Sequence, residues 1–555
     1  MAQISYRGNL SAAFFPFISK YQGQTVIVAG PDQNFSRQLQ STADTDKDIG
    51  IPQAVYMHNV MPTGNGLQSV GYEVQVAAFN GADIKIEAAY TIRDDALGLK
   101  AYLFTAPSLG AIFILSGNNP VWSVVGTYVP VEVPSFIAPP NVLPPAILPP
   151  DILPPNILGE PREYGVYEAP LPLNTPITLG HINGTTYIYF KNNFCVTYDF
   201  IQQKFIQVLL KGIDNSKVTG ITECTGYMIA YTENAVAWSS TIDATDFNPS
   251  LQTGAGGGNV QVAKGNITCA TPTANGFLIY TQTNVVAAMY TANARYPFQF
   301  NECLGSGGVT SLERVTYESD TGYNYAYTSK GMQILQAKSA QTAFADLTDF
   351  LAGQYLEDFD EATLRFTYTS LGLPLKKKLS FIAARYMVIS YGITELTHVL
   401  VYDTVQKRFG KLKFTHIDCF EYEYLGEAVN DIPRKSVGFV DNTGKISTLD
   451  FSTSHDSRPG VLMLGKFQYA RSRRLQIQEA TFEAINTNSI CNVYDVITQD
   501  GKTPCTPVQG IPLVTGSDVR TYGFGALDGY NHSLYIVGTF YLASYELKFN
   551  PTARI

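Results

Sequence analysis

GYMIAYTENAVAWSST, residues 226–241, and GFLIYTQTNVVAAMYT, residues 276–291, repeat each other at an offset of fifty residues with no gap. Gly226/Gly276, Ile229/Ile279, Asn234/Asn284, Val236/Val286, Ala237/Ala287 and Thr241/Thr291 coincide, and Tyr227/Phe277 and Met228/Leu278 are conservative pairs. One supersecondary unit has therefore been used at least twice. A unit of about 40–50 residues, built from short apolar strands and Gly/Asn turns, suits the blade of a β-propeller, whose four-stranded sheets expose only short edges. A β-sandwich with regular hairpins is the other fold such a repeat allows.

A second frame works outward from the first. Tyr198-Asp199 and Tyr402-Asp403 are each followed, after four residues, by a cation and a phenylalanine: Lys204-Phe205 and Arg408-Phe409. This reads as strand, tight turn, outer strand, with the Asp accepting from its own turn backbone and the Phe re-entering the packed face. Residues 103–122 and 322–335 carry weaker copies. The expected fold class is all-β: a propeller, six-bladed, with an N-terminal arm (1–50), a first β segment (51–133), a Pro-rich insertion (134–161), further blades (162–451) and a C-terminal β module (452–555). A chain of 555 residues exceeds what one hydrophobic core usually serves, which is why modules beyond the propeller are expected. Helix is expected only around residues 339–356, where apolar residues approach helical spacing.

Composition narrows the function classes. With 35 Tyr, 31 Phe and only 15% charged residues, the balance favours strands. The net charge of −9 argues against tight non-specific nucleic-acid binding, which rests on many cation–phosphate contacts. It leaves room for a wall past which a polyanion slides without sticking. The seven cysteines (Cys195, Cys224, Cys269, Cys303, Cys419, Cys491, Cys505) show no C-x-x-C spacing, so neither zinc nor a disulfide framework is indicated, although Cys491 and Cys505 flank a hairpin and could pair. The opening MAQISYRGNLSAAFFPFIS lacks a secretory pattern, and no stretch reaches the length of a membrane helix. The expectation is synthesis in the cytoplasm, which makes the glycosylation triplets at Asn9, Asn34, Asn183, Asn266 and Asn531 chance matches.

Residues 139–158, PPNVLPPAILPPDILPPNIL, are four copies of Pro-Pro-x-Val/Ile-Leu. Pro139, Pro140, Pro144, Pro145, Pro149, Pro150, Pro154 and Pro155 fix φ and cannot donate to a ladder, so this strap should be extended, spanning on the order of 60 Å at ~3.1 Å per residue. Val142, Leu143, Ile147, Leu148, Ile152, Leu153, Ile157 and Leu158 are costly to leave wet, which makes it a candidate partner-docking arm rather than a plain linker. A rigid spacer between blades is the other reading.

Catalytic constellations are sparse. The glycine runs 254–258 and 305–308 lack the Lys-Ser/Thr of a phosphate loop. Asp44-x-Asp46-x-Asp48 imitates a calcium loop, but Ile49 and Val55 stand where the turn glycine and closing carboxylate belong. Glu357, Asp358, Asp360, Glu361 and Glu421, Glu423, Glu427 could supply a glycosidase pair, or simply be solvated faces. His58, His181, His398, His416, His455 and His532 are dispersed, and no nucleophile elbow appears. No enzyme, metal or cofactor is expected.

The stretch 236–249, VAWSSTIDATDFNP, followed by Gly-rich 254–258, resembles a motif of the tail nozzle or hub proteins of short-tailed (podovirus-type) bacteriophages: a strand ending in Trp-Ser, an Asp-x-x-Asp-Phe turn, then Asn-Pro. Residues 326–336 (AYTSKGMQILQ) with Leu347-Thr348-Asp349-Phe350, residues 59–72 (NVMPTGNGLQSVGY) and residues 538–549 (GTFYLASYELKF) agree in order with that family. The resemblance implies a structural virion protein, assembled in the host cytoplasm into a hexameric ring. That ring meets tail adaptor proteins above and fibre, spike or needle proteins below, and its channel retains and then conducts double-stranded DNA without reading its sequence. It carries over no catalytic residues, and the Pro-rich strap has no counterpart in it. The competing reading is a glycan-binding or glycan-cleaving propeller using Trp122, Trp238 and the Glu421/Glu423 pair.

Overall fold

The computed structural model describes residues 54–131 and 168–343 with short breaks, mainly strands between 355 and 554, and the strands Ile4–Asn9 and Thr25–Val26. The strap at 134–161, the acidic run at 44–48, Cys505, His455, Glu361, Glu427 and residues 344–354 lie outside the described residues. The two ends of the expected helix are strands instead, Ala340–Thr342 and Tyr355–Asp360. Among the described residues all regular structure is β apart from three single 3₁₀ turns.

The chain divides into two compact units. The unit Tyr90–Gln261 with Tyr290–Phe298 holds a ten-stranded sheet and a four-stranded one. In the larger sheet, Ala88–Asp94, Leu99–Ala106, Ala111–Ser116 and Val121–Val125 follow in sequence as antiparallel neighbours, and so do Ile177–Ile182, Thr185–Phe190, Cys195–Asp199 and Lys204–Val208. The smaller sheet is Gly220–Cys224, Tyr227–Tyr231, Ala235–Trp238 and Gly256–Asn259. Ile92, Leu103, Ile114, Ile188, Phe190, Val196 and Phe205 form one core, and Tyr189, Cys195, Ile221, Met228 and Phe247 a second.

The other unit repeats the four-strand plan. Its groups start at Ile267–Thr273, Val315–Glu318, Lys376–Ile382 and Asp418–Tyr424. The last of these is completed not by a following strand but by Glu73–Ala78, which pairs with Lys445–Leu449. Seven groups of four antiparallel strands can thus be followed among the described residues, where the sequence led to six blades. The first strands of consecutive groups lie against each other from Ile177–Ile182 to Gly220–Cys224 in one unit, and from Ile267–Thr273 through Val315–Glu318 and Lys376–Ile382 to Asp418–Tyr424 in the other. The C-terminal strands share sheets with N-terminal ones: Ile4–Asn9 pairs with Tyr541–Arg554, and Ala54–His58 with Gly460–Phe467.

The repeat that opened the sequence reading is real, but its register is corrected. Cys224 faces Tyr227 across a two-residue turn and Tyr231 faces Val236; the matching pairs are Thr273 with Gly276 and Tyr280 with Val285. Both turns place the structural offset at 49 residues rather than fifty. Gly226 sits inside its turn at φ 84°, next to Thr225 at φ 44°, whereas Gly276 opens a strand, so the two glycines are not equivalent. The shared feature is Tyr-Thr before the second turn: Thr232 Oγ1 accepts from Ala235 N (3.1 Å), and Thr281 Oγ1 from Asn284 N (3.0 Å). Thr328, after Tyr327, accepts from Lys330 N (3.1 Å), a third use of this side-chain-closed turn. Since side chains alternate along a strand, a one-residue slip exchanges faces, and only the 49-residue register keeps Tyr231 and Tyr280 on equivalent buried positions.

Candidate functional site

The motif behind the phage-tail resemblance forms a self-bonded loop. Trp238 ends its strand with Nε1–H donating to Gly254 O (2.9 Å), and its ring meets Phe298 edge-on at 5.4 Å. Ser239 and Ser240 are buried: Ser239 Oγ accepts from Met228 N (2.9 Å) and Ser240 Oγ from Ile242 N (3.0 Å). Asp243 Oδ1 accepts from Thr245 N (2.8 Å) and Asp246 Oδ1 from Asn248 N (3.0 Å), consecutive Asx turns that carry Phe247 into the core. Lys211 N donates to Thr245 O (2.8 Å) and Phe247 N to Lys211 O (2.9 Å), so the loop buckles its own group to the preceding one. The Ser and Asp side chains here accept from backbone N–H groups of the loop, and Asp243 also meets Lys211 Nζ (3.2 Å).

The second glycine run has a comparable task. Residues 305–308 run between the Thr281 and Thr328 turns: Val309 N donates to Thr281 O (2.9 Å), Ser329 N to Gly308 O (2.8 Å), and Gly308 N to Ser329 Oγ (3.0 Å). A Cβ on Gly307 would stand 2.6 Å from Thr328 Oγ1, and one on Gly308 2.6 Å from Thr283 N. The run is a seam between two neighbouring groups, glycine being the one residue thin enough for it. The absence of a Lys-Ser/Thr pair excludes a phosphate loop there, but the close approach is written in no local motif and needs both flanking turns in view.

The other expected residues are dispersed. Glu421 and Glu423 share a face of Asp418–Tyr424, opposite Val437 and Lys435, and both are half-buried. Glu357, Asp358 and Asp360 lie on Tyr355–Asp360, paired with Arg365–Ser370. Trp122 is half-buried with Phe104 at 5.7 Å. Cys195, Cys224, Cys269, Cys303 and Cys419 are buried free thiols, and burial pushes Cys224, Cys303 and Cys419 up to about 11 and Cys269 to about 12, leaving them protonated at neutral pH. Among the described residues no cluster of His, Cys, Asp or Glu could hold a metal ion, and no helix is long and apolar enough to cross a membrane.

Buried polar pairs, invisible to motif reading, tie strands within a group and between neighbouring groups. Asp418 Oδ2 accepts from Lys378 Nζ (2.5 Å) and from Ala89 N (2.8 Å). His416 is buried; its Nδ1–H donates to Phe414 O (3.1 Å), which leaves Nε2 to accept from the Ser390 hydroxyl (2.9 Å). Burial holds this imidazole down to about 4. Its folded value is depressed, so the unfolded chain binds the proton first: stability is full above the ordinary ~6.5 and is lost as pH falls towards 4, by up to about 3 kcal/mol. Urea unfolding of the native chain should thus show a lower midpoint at about pH 4.5 than at about pH 7, and His416→Gln should flatten part of that difference. An unaltered pH slope in the variant would contradict this assignment.

The arrangement defines a class: an all-β protein of linked small antiparallel sheets. No family model matches the chain, and no curated protein matches it in sequence. Solved structures give remote likenesses. The extracellular domain of the putative one component system BT4673 from B. thetaiotaomicron is 10% identical, covering 88% of this chain and 60% of that one, at a TM-score of 0.37. Dihydro-heme d1 dehydrogenase NirN in complex with DHE is also 10% identical, covering 55% and 66%, at 0.29. The extracellular domain of the putative hybrid two component system BT3049 from B. thetaiotaomicron is 14% identical, covering 52% and 44%, at 0.26. The chain thus spans between 44% and 66% of the lengths of these three proteins, and scores this low carry nothing about function.

Proposed function

We propose that this chain is a structural virion protein of a short phage tail, forming with copies of itself a ring that closes the DNA channel and conducts the genome during ejection. The observation that carries the reading is the ordered set of motifs led by residues 236–249, whose serines and aspartates are committed to locking a loop rather than to chemistry. In its finer form the four-strand groups close into a β-propeller. Support comes from first strands that lie side by side within each unit, and from Glu73–Ala78, an early strand completing a late sheet, the kind of clasp that ties a circular array. Stiffness suits a collar under pressure, and a net charge of −9 suits passage of a polyanion. The glycan reading has less behind it, because the Trp238 indole N–H and ring are both engaged internally.

Mass photometry and negative-stain microscopy of the full chain, alone and with tail adaptor and fibre proteins, test the proposal. Rings of six copies are expected. Monomers only, under every combination, would sink it, as would a reducing-sugar assay showing turnover that is lost in Glu421→Gln.

A further inference from the structure

Four Asn-Gly pairs stand in the sequence, at residues 65–66, 80–81, 183–184 and 275–276, and the last two lie whole among the described residues. Both belong to two-residue hairpin turns, which hold the glycine nitrogen in opposite ways. Asn183 and Gly184 are themselves the turn between Ile177–Ile182 and Thr185–Phe190, closed by Ile182 opposite Thr185. Their φ values of 52° and 83° are those of a type I′ turn, in which the nitrogen of the second central residue has no place in the ladder. Asn275 is instead the second residue of its turn, and Gly276 closes that turn opposite Thr273, so the Gly276 N–H belongs to the ladder.

The surroundings sharpen the contrast. Asn183 is exposed, nothing among the described residues hydrogen-bonds its side-chain amide, and Gly184 brings no Cβ to shield its nitrogen. Asn275 is exposed as well, but Gly276 is buried. The 183–184 turn is also a tie to the preceding group of strands. Gly184 O accepts from Asp95 N (2.8 Å), Thr185 pairs with Asp94, and Asp95 Oδ2 meets His181 Nε2 (2.9 Å).

We propose that Asn183 is a site of spontaneous covalent modification, which converts it to aspartate and isoaspartate and releases its turn from Asp95. Hydroxide takes the Gly184 amide proton, and the nitrogen attacks Cγ of Asn183. The new N–Cγ bond closes a five-membered succinimide, and the side-chain nitrogen leaves as ammonia with a proton from water. Water then opens the ring at one of its two carbonyls. Cutting the N–Cγ bond gives aspartate, and cutting the bond to the Asn183 backbone carbonyl gives isoaspartate, whose main chain is one carbon longer. That extra carbon in a two-residue turn draws Gly184 O away from Asp95 N, and either product adds a negative charge to a turn already bonded to an aspartate. This stands apart from the tail-ring reading and holds or fails whatever the copy number of the assembly.

The test incubates the full chain, folded and in urea, in mildly alkaline buffer made with heavy-oxygen water. Peptides are then mapped by mass spectrometry, with electron-transfer fragmentation to tell isoaspartate from aspartate. In the folded chain, label is expected to enter position 183 about tenfold faster than position 275, where a laddered N–H must first be freed; in urea the two positions should run alike. Urea midpoints are compared before and after the incubation for the native chain and for Asn183→Ser, which cannot close the ring, and the larger drop is expected in the native chain. No label at 183, or equal rates at 183 and 275 in the folded chain, overturns the site. Equal drops in the two proteins overturn the release from Asp95.

Discussion

Gly308→Ala is expected to destabilise the protein by about 3 kcal/mol, among the largest effects of any one-carbon change in this chain. A Cβ at this position would overlap the backbone carbonyl oxygen of Gln282 and stand 2.6 Å from Thr283 N, and none of these atoms is the movable end of a side chain. Relief requires the seam to open, which loses the bonds from Val309 N to Thr281 O and from Ser329 N to Gly308 O together. Gly258→Ala is the control: no atom lies within 4 Å of its Cβ position, and the residue is exposed. Urea denaturation of the two variants should give a much reduced midpoint for the first and an unchanged one for the second, within about 0.5 kcal/mol. Equal midpoints would mean that residues 305–308 are an ordinary loop.

The contrast between the two glycine runs marks where sequence reading stops. Short apolar strands and the Tyr-Asp frames were legible because each is a local code. Tyr198 does face Phe205, and Tyr402 does face Phe409. The correct repeat register was not legible, because Gly226 and Gly276 align by identity while the first lies inside its turn and the second just after its own. Nor were long-range pairings such as Glu73–Ala78 with Lys445–Leu449, since nothing near either strand encodes the other. The candidate site was legible as a motif, but the backbone N–H partners that Ser239, Asp243 and Asp246 take are set by how the loop folds and are written nowhere in the motif.

The two Tyr-Asp frames, alike in sequence, should respond very differently to mutation. Asp199 is half-buried and accepts from Ile201 N (2.8 Å) and Gln202 N (2.9 Å) in its own turn, so Asp199→Ala should cost about 1 kcal/mol, the usual worth of a capped turn. Asp403 is fully buried, and its Oδ2 is gripped by Arg385 through Nε (2.9 Å) and Nη2 (2.6 Å), while Oδ1 accepts from Val405 N (3.0 Å). Arg385→Ala removes the cation and strands a carboxylate away from water, an expected loss of about 3–5 kcal/mol. The Arg385 backbone bonds from Thr404 N and Thr404 Oγ1, both 2.9 Å, survive the truncation, so the effect isolates the side chain. Combining Arg385→Met with Asp403→Asn should recover most of the loss, because the amide keeps an acceptor for Val405 N and leaves no charge behind. Thermal unfolding of the single and double variants decides the matter. A double variant no more stable than Arg385→Ala would place the cost in lost packing of the arginine stem rather than in the orphaned charge.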